Sequence, residues 1–219
     1  MTDAALDAEP EDPTAQAATK DLVFAAAERL FATHGFQKVS VRDITAEAKV
    51  NLASVNYHFG SKDALLFEIF RRRTAELARA RVKMLHEAAD RHGRKPPVRE
   101  ILEALIAPST RWLDPRAGKL VSGQFLIRAR SEGTEAMREA LRSDSSYLRR
   151  FTDALHAALP HLAREEVFWR LHFVLGMTHN NRLAEFERLH ILSDGLTDHV
   201  DLDALIKRMV DFAEAGFLR

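Results

Sequence analysis

The most informative absence in this chain of 219 residues is cysteine, of which there is none. Without cysteine the protein has no disulfide, no cysteine zinc site, no iron–sulfur ligand and no thiol nucleophile, which fits a reducing compartment. Long apolar runs are also missing: Ile101–Ala107 is interrupted by Glu103 and falls short of the roughly 20 residues that a membrane span needs. Residues 1–17 lack the basic start and apolar stretch of a secretory signal. We therefore expect a cytoplasmic protein with no membrane partner.

Net charge is a second thing that the chain lacks, since 32 basic residues balance 32 acidic ones. Neutrality alone argues against a nucleic-acid partner, but a sum can hide segregation. Residues 1–17 carry five acids and no base, whereas residues 18–74 carry nine bases and six acids. The acidic start shows no sustained hydrophobic period and is predicted to be a disordered leader. It masks a cationic region that follows it.

Period-two strand patterns are absent, whereas helical periodicity recurs along the chain. The first helix is predicted to begin at Thr19, as its N-cap, and to end at Gly35. Ser40 begins a capping-box pattern for a short second helix, and Asn51 is placed to cap a short third helix. Three helices, the last two short and joined by a tight turn, outline a helix-turn-helix.

A long fourth helix is predicted to follow, because Ser61 is a good N-cap and neither proline nor glycine occurs from Lys62 to Ala89. Proline and glycine then separate further helices, predicted at residues 98–113, 117–130, 134–158, 164–189 and 201–216. The predicted fold class is all-α: an N-terminal three-helix helix-turn-helix domain joined by a long helix to a larger helical bundle. The predicted domains are the leader at 1–17, the helix-turn-helix domain at 18–65 and the bundle at 66–219.

The segment Val41–Lys62, VRDITAEAKVNLASVNYHFGSK, has the chemistry of a DNA-docking unit. In a helix-turn-helix the second of the two helices enters the major groove with its first residues toward the base edges, while flanking groups bind phosphates. Small or neutral residues at the start of the third helix allow this close approach, and Arg42 is a long cation able to bind guanine. The candidate DNA contacts are Arg42, Leu52, Ala53, Ser54, Asn56, Tyr57, His58 and Lys62.

Several of these residues also have a plainer interpretation. Tyr57 and His58 could pack in the core at the end of a short helix, Arg42 could contact only a phosphate or water, and Asn56 could be a surface amide. Lys62 is expected to bind a phosphate together with the free backbone amides at the start of the fourth helix.

Residues 19–65 resemble the DNA-binding domain of the tetracycline-repressor (TetR) family of bacterial transcriptional regulators. The resemblance rests on LFATHGF (30–36), VRDITAEAKV (41–50) and SVNYHFGSKDALL (54–66), with the spacing between them. Most family members have glycine where this chain has Lys49, which must adopt a left-handed conformation or shift the turn. The resemblance implies a homodimeric repressor that binds a double-stranded, palindromic DNA operator, and a helical C-terminal domain that binds a small-molecule effector.

The C-terminal part is similar to PsrA-type regulators, which respond to long-chain fatty acids, in FWRLHFVLG (168–176) and FAEAGF (212–217). This similarity implies a fatty-acid-like effector, whose anionic head Arg128 and His172 could orient among apolar cavity walls. The candidate effector residues are Trp112, Phe125, Arg128, Trp169, His172, Phe173 and Met177. The spacing of the aromatic residues fits an ordinary core helix equally well. Helices near 166–179 and 201–216, with Val200, Leu205, Met209 and Phe212, are candidates for the dimer interface or for the core.

The alternative is an α-helical enzyme or metal-binding protein that carries a helix-turn-helix-like segment. The chain contains no G-x-S-x-G, phosphate-loop or H-E-x-x-H motif, so no enzymatic activity is expected. His172 and His179 are about 10 Å apart along a helix, and Glu187 with His190 is a spacing common on surfaces. No metal site and no cofactor are therefore predicted. A non-specific architectural DNA binder should be far more basic than this chain.

Overall fold

The protein is described by a computed structural model that covers residues 13–143, 146–179, 183–197 and 201–219. Every regular element within these residues is helical, which confirms the predicted fold class. The chain forms two compact units, Met1–Ile69 and Phe70–Arg219. Among the described helices, none is both long and apolar enough to cross a membrane. The predicted leader lies outside the described residues up to position 12.

The first unit holds three complete helices and the beginning of a fourth, and the second unit holds the others. In chain order these are α1 (Pro13–His34), α2 (Val41–Ala48), α3 (Leu52–Phe59), α4 (Lys62–Arg91), α5 (Val98–Arg111), α6 (Leu120–Glu132), α7 (Glu135–Ser143), α8 (Ser146–Ala158), α9 (Arg164–His179), α10 (Leu183–Leu192) and α11 (Leu202–Leu218). A short 3-10 helix at Pro115–Ala117 precedes α6.

The start of α1 differs from the sequence prediction. The helix begins at Pro13, so residues 13–17 are helical rather than part of a leader, and Thr19 lies inside the helix. Proline suits the first position of a helix because the N–H that it lacks would have no partner there. The Thr19 hydroxyl donates to the carbonyl oxygen of Ala15 at 2.9 Å, one turn earlier. A threonine hydroxyl can bond either as an N-cap or to a carbonyl oxygen one turn earlier in a helix. The sequence does not distinguish the two, so the predicted start of α1 was wrong.

Two predicted long helices are each two helices in the structure. The segment 134–158 consists of α7 and α8, and the segment 164–189 consists of α9 and the larger part of α10. Helical periodicity continues on both sides of each break, so the hydrophobic pattern alone did not separate them. Residues 144–145 and 180–182, between the helices, lie outside the described residues.

Each unit has its own core. In the first unit α1 packs on α2 and α3, and Phe31, Ile44 and Val55 are fully buried. In the second unit α5 is central: α8, α9 and α11 all pack against it. The longest apolar run of the sequence, Ile101–Ala107, lies on α5 and is buried except at Glu103, as expected of a helix with neighbours on several sides.

Candidate nucleic-acid interface and effector domain

The start of α2 is fixed by a complete capping box. The Ser40 hydroxyl accepts from the backbone N–H of Asp43 at 3.2 Å, and the Ser40 N–H donates to the Asp43 carboxylate at 2.8 Å. Hydrogen bonds from the side chain and then the backbone of Ser40 keep the pKa of Asp43 below its usual value. This cap confirms the predicted start of α2 and places Arg42 in its first turn, exposed to solvent.

The turn between α2 and α3 is made by Lys49 in the left-handed conformation, with φ 56° and ψ 44°. Its N–H donates to the carbonyl oxygen of Ala46, and the N–H of Val50 donates to that of Thr45 at 3.0 Å. Of the two outcomes that the sequence allowed for this lysine, the left-handed one is observed. A residue with a Cβ atom pays about 1–2 kcal/mol for that conformation relative to glycine.

Helix α3 buries one side chain and leaves most others accessible. Val55 is fully buried, and Asn51 caps the helix by accepting from the N–H of Ala53 at 3.0 Å. Tyr57 is 68% exposed, which excludes the core-packing interpretation for this residue. Solvent also reaches the other candidate DNA contacts of this helix, namely Leu52, Ala53, Ser54, Asn56 and His58. Leu52, Ala53, Asn56 and Tyr57 are exposed, whereas Ser54 and His58 are partly buried beside Val55.

Lys62 has a role that the sequence did not reveal. Its ammonium donates to the carbonyl oxygens of Phe36 at 3.1 Å and Val39 at 3.0 Å. These bonds hold the start of α4 against the segment that links α1 to α2. An ammonium has three donors, so one N–H remains for another acceptor. Phosphate binding by Lys62 stays a prediction, and the observed bonds make Lys62 a positioning residue within the first unit.

Two further contacts link α1 to the helix-turn-helix. The Lys20 ammonium lies 5.7 Å from the centre of the Phe59 ring, which joins α1 to the end of α3. Arg29 on α1 pairs with Glu47 on α2 at 3.0 Å, although both side chains are about half exposed and the pair contributes little. Partners this distant in sequence cannot be identified from helical periodicity.

The candidate effector residues are not gathered in one place. Trp112 and Phe125 belong to the buried interior, and Arg128 pairs with Glu132 on the same helix at 2.6 Å. Trp169 and Phe173, which are 52% and 62% exposed, stack with ring centres 6.3 Å apart on the outside of α9. His172 is exposed beside them, and Met177 is partly buried against the core. Helical spacing correctly groups the α9 residues on one face but does not say what that face meets.

The candidate dimer residues include both core residues and an exposed one. Met209 is buried and Leu205 packs against the core, whereas Phe212 is 73% exposed. Val200 lies outside the described residues. Exposed aromatic side chains therefore occur on both α9 and α11, and Phe168 is a further one on α9.

Among the residues of the second unit that the structure describes, two grooves are open to solvent. One has a volume of about 720 Å³ and lies between α4 and α8, with Val82, His86 and Tyr147 in its walls. The other, of about 500 Å³, lies between α8 and α9 and includes Phe168 and His172. Within the described residues, no group of three or more histidine or carboxylate side chains is placed to hold a metal ion.

Sequence reasoning missed a buried arginine on α4. Arg81 is only 3% exposed and donates to the backbone of α5 at Leu105 and to the side chains of Ser109 and Tyr147. The signal was present, because Arg81 stands four residues from both Leu77 and Leu85 and so falls on the apolar stripe of α4. A charged residue in that phase predicts a specific buried environment.

The geometry defines a helix-turn-helix protein with a separate all-helical second unit. The profile described as "Bacterial regulatory proteins, tetR family" matches residues 23–69, and that described as "Tetracyclin repressor-like, C-terminal domain" matches residues 103–216. The chain belongs to the TetR family of bacterial regulatory proteins.

Similar proteins carry regulator names. An HTH-type transcriptional repressor of Mycobacterium tuberculosis and an HTH-type transcriptional regulator of Mycobacterium bovis are each 37% identical over 87 residues, which cover 37% of this chain and 46% of the relative. The chain thus spans about half the length of the curated relatives that it matches. A TetR-family regulator from Bordetella parapertussis shares the fold with a TM-score of 0.66 at 19% identity, over 91% of this chain and 95% of that one. The fatty acid degradation regulator FadR from Bacillus halodurans has a TM-score of 0.60 at 19% identity, over 95% and 98%.

Proposed function

We propose that this protein is a homodimeric transcriptional repressor that binds a palindromic DNA operator through α3 and is released by a small hydrophobic effector. The observation that carries the proposal is the exposed side of α3. Val55 anchors this helix in the core, and Asn51 caps its start. The printed names of the mycobacterial relatives support the regulatory role. The protein would act without enzymatic chemistry, in the cytoplasm, where chromosomal DNA is found.

Roles at the DNA follow from the position of each side chain. Leu52 and Ala53, at the start of α3, are suited to apolar contact with thymine methyl groups, and Ser54 to a base or phosphate. Arg42 would read guanine from the first turn of α2. Tyr57 and His58 would bind the phosphate backbone, which sets the register of the protein on the duplex. Asn56 would contact a base edge.

Dimerisation is proposed to use the exposed aromatic side chains of α9 and α11. Phe168, Trp169, Phe173 and Phe212 are all about half exposed or more. Large aromatic residues on a surface are typical of interfaces, where they contribute much of the binding free energy. A dimer would present two copies of α3 to two half-sites about one helical turn of DNA apart, or a multiple of it.

Release is proposed to act through α4. This helix is continuous from Lys62 to Arg91, so it begins in the first unit and ends in the second. An effector that binds the second unit more tightly in one arrangement of α4 would shift the population toward that arrangement. A shift of a few ångströms in the separation of the two α3 helices would prevent both half-sites from being bound together.

The proposed effector is an acyl-chain compound. Its support is the resemblance of FWRLHFVLG (168–176) to fatty-acid-responsive regulators and the fold shared with a protein described as a fatty acid degradation regulator. The apolar walls of the second unit are compatible with such a chain.

A mobility-shift assay with DNA from the region around the protein's own gene tests the regulatory function. We expect a complex that survives excess competitor DNA, and Arg42→Ala should weaken it by about 1–3 kcal/mol and relax the preference at one operator position. Lys83→Ala, which removes an exposed cation of α4 paired with Glu87, serves as the matched control and should change neither property. Absence of any sequence-specific complex at modest salt would remove the main support for a repressor.

A further inference from the structure

Arg81 is a buried guanidinium whose hydrogen-bond partners are all neutral. It donates from Nε to the carbonyl oxygen of Leu105 at 2.9 Å, from Nη1 to the Tyr147 hydroxyl at 3.1 Å and from Nη2 to the Ser109 hydroxyl at 3.2 Å. No carboxylate within the described ranges pairs with it. A buried charge is normally compensated by an opposite one, so this arrangement has an electrostatic cost that an anion would relieve.

Arg130 and His179 are two further hydrogen-bond donors whose pKa values are lowered by burial and by the charge of Arg81. Arg130 Nη1 lies 2.9 Å from His179 Nδ1. Because the guanidinium can only donate, Nδ1 must accept, and the imidazole is neutral with its proton on Nε2. That Nε2 atom is buried and has no hydrogen-bond partner among the residues that the structure describes. His179 thus holds an N–H donor inside the protein for which no described residue is an acceptor.

The three groups share one electrostatic environment. Burial, with the nearby charge of Arg81, lowers the pKa of Arg130 to about 10. Burial, followed by the charges of Arg130 and Arg81, lowers the pKa of His179 to about 3. Arg130 is nevertheless an exposed residue, so solvent reaches its side chain.

We propose that Arg81, Arg130 and His179 form the site that binds the anionic head of the effector, an inference that rests on the proposed ligand-responsive function. The ligand class is an apolar chain that ends in an oxyanion, either a carboxylate or a phosphate monoester. Arginine offers paired N–H donors to both, and the Nε2–H of His179 supplies a further donor. An anion at Arg81 would act directly on α4, the helix that the proposed release mechanism moves.

This assignment replaces the pair that the sequence suggested. Arg128 is two residues from Arg130 on the same helix, but Glu132 already neutralises it. His172 is an exposed residue of the aromatic face of α9. The difference between Arg128 and Arg130 is therefore the presence of a carboxylate partner, and this difference makes the two arginines a matched pair for an experiment.

The test measures binding of decanoate, decyl phosphate and decanol to the full chain by calorimetry and thermal shift. The wild type should bind at least one anion about tenfold or more tightly than decanol, and the tighter anion identifies the head group. Arg130→Met should lose about tenfold or more of that affinity with little change for decanol, while Arg128→Met should behave as the wild type and Arg130→Lys should recover part of the loss. Arg81 is left unchanged because its burial makes misfolding of a variant a confounding result.

Two outcomes would overturn the site. One is equal affinity of the wild type for decanol and both anions, or binding of none of them, and the other is an equal loss in Arg128→Met and Arg130→Met. Operator binding by the wild type without ligand is measured in parallel. If the wild type binds no specific DNA, the proposed function fails while calorimetry still decides the anion site. If specific DNA binding is present and anion selectivity is absent, only the anion site fails.

Discussion

The two units of this chain differ in how far apart in sequence the residues lie that build their candidate sites. In the helix-turn-helix the capping box of α2, the N-cap of α3, the turn between them and the exposed face of α3 are set by residues within a few positions of one another. In the second unit Arg81 bonds to Tyr147, 66 positions away, and Arg130 to His179, 49 positions away. A DNA-reading unit can thus be recognised as a short pattern, whereas an effector site depends on how several helices pack.

The largest expected change in the free energy of unfolding tests whether Phe125 packs in the core or lines a ligand cavity. Phe125→Ala removes a fully buried side chain and should lower the free energy of unfolding by about 3–5 kcal/mol, measured by urea denaturation. Trp169→Ala, at an exposed aromatic position, is the control and should cost much less in the monomer. A small cost at Phe125, together with lost effector binding, would instead make it part of a cavity wall and weaken the contrast between the two residues.

The next effect concerns Lys62, whose hydrogen-bond partners in the first unit lie 26 and 23 positions away in sequence. Lys62→Met removes two charge-assisted bonds to backbone carbonyls and should lower the free energy of unfolding by about 1.5–3 kcal/mol. Lys38→Met, at an exposed lysine that precedes α2, should be nearly neutral. The salt dependence of DNA binding provides the second readout. A slope reduced by about one unit with unchanged stability would mean that Lys62 binds a phosphate and is not a brace.

The pH dependence of stability tests the electrostatics of the second unit. The folded state lowers the pKa of His179 from 6.5 to about 3, so between these values the unfolded state binds a proton that the folded state does not. Stability should therefore fall as the pH drops below about 6.5, by up to about 2 kcal/mol at pH 5 from this one residue. His179→Gln should remove that part of the slope in denaturation curves recorded across the range. An identical slope in the variant would show that burial and the nearby arginine charges do not hold His179 neutral in the folded state.

The smallest effect concerns the turn of the helix-turn-helix. Lys49→Gly relieves a left-handed conformation and should raise the free energy of unfolding by about 1 kcal/mol. Ala46→Gly, inside α2, is the opposite control and should lower it by about 1 kcal/mol, because glycine is unfavourable in a helix interior. Thermal denaturation of both variants at equal concentration measures the difference. A destabilised Lys49→Gly would mean that the ammonium makes a contact that outweighs the strain.

The fold class and the helix-turn-helix segment were predictable because each depends on local signals. Ser40, Asn51 and the glycine-free stretch after Lys62 mark helix ends that the structure reproduces. The early start of α1 was missed because Thr19 bonds back to Ala15 instead of capping. The breaks between α7 and α8 and between α9 and α10 were missed because the apolar period runs through them.

The surroundings of the candidate effector residues were not predictable from the sequence, for a physical reason. Periodicity grouped Trp169 and Phe173 correctly on one face, but it carries no information about which partner that face meets. Arg128 and Arg130 are equally plausible from sequence, since only the fold shows that Glu132 neutralises one while the other bonds to His179. Compensation of charge across helices is a tertiary property.

The length of α4 bears on the proposed release of DNA. At 1.5 Å per residue, the helical stretch from Lys62 to Arg81 is about 28 Å long. If that stretch tilts as one body by about 5° about Arg81, its far end moves by about 2.5 Å, which is comparable with the radius of the helix itself. In the proposed mechanism, an anion as small as a single carboxylate at Arg81 would thus produce a movement large enough to affect operator binding.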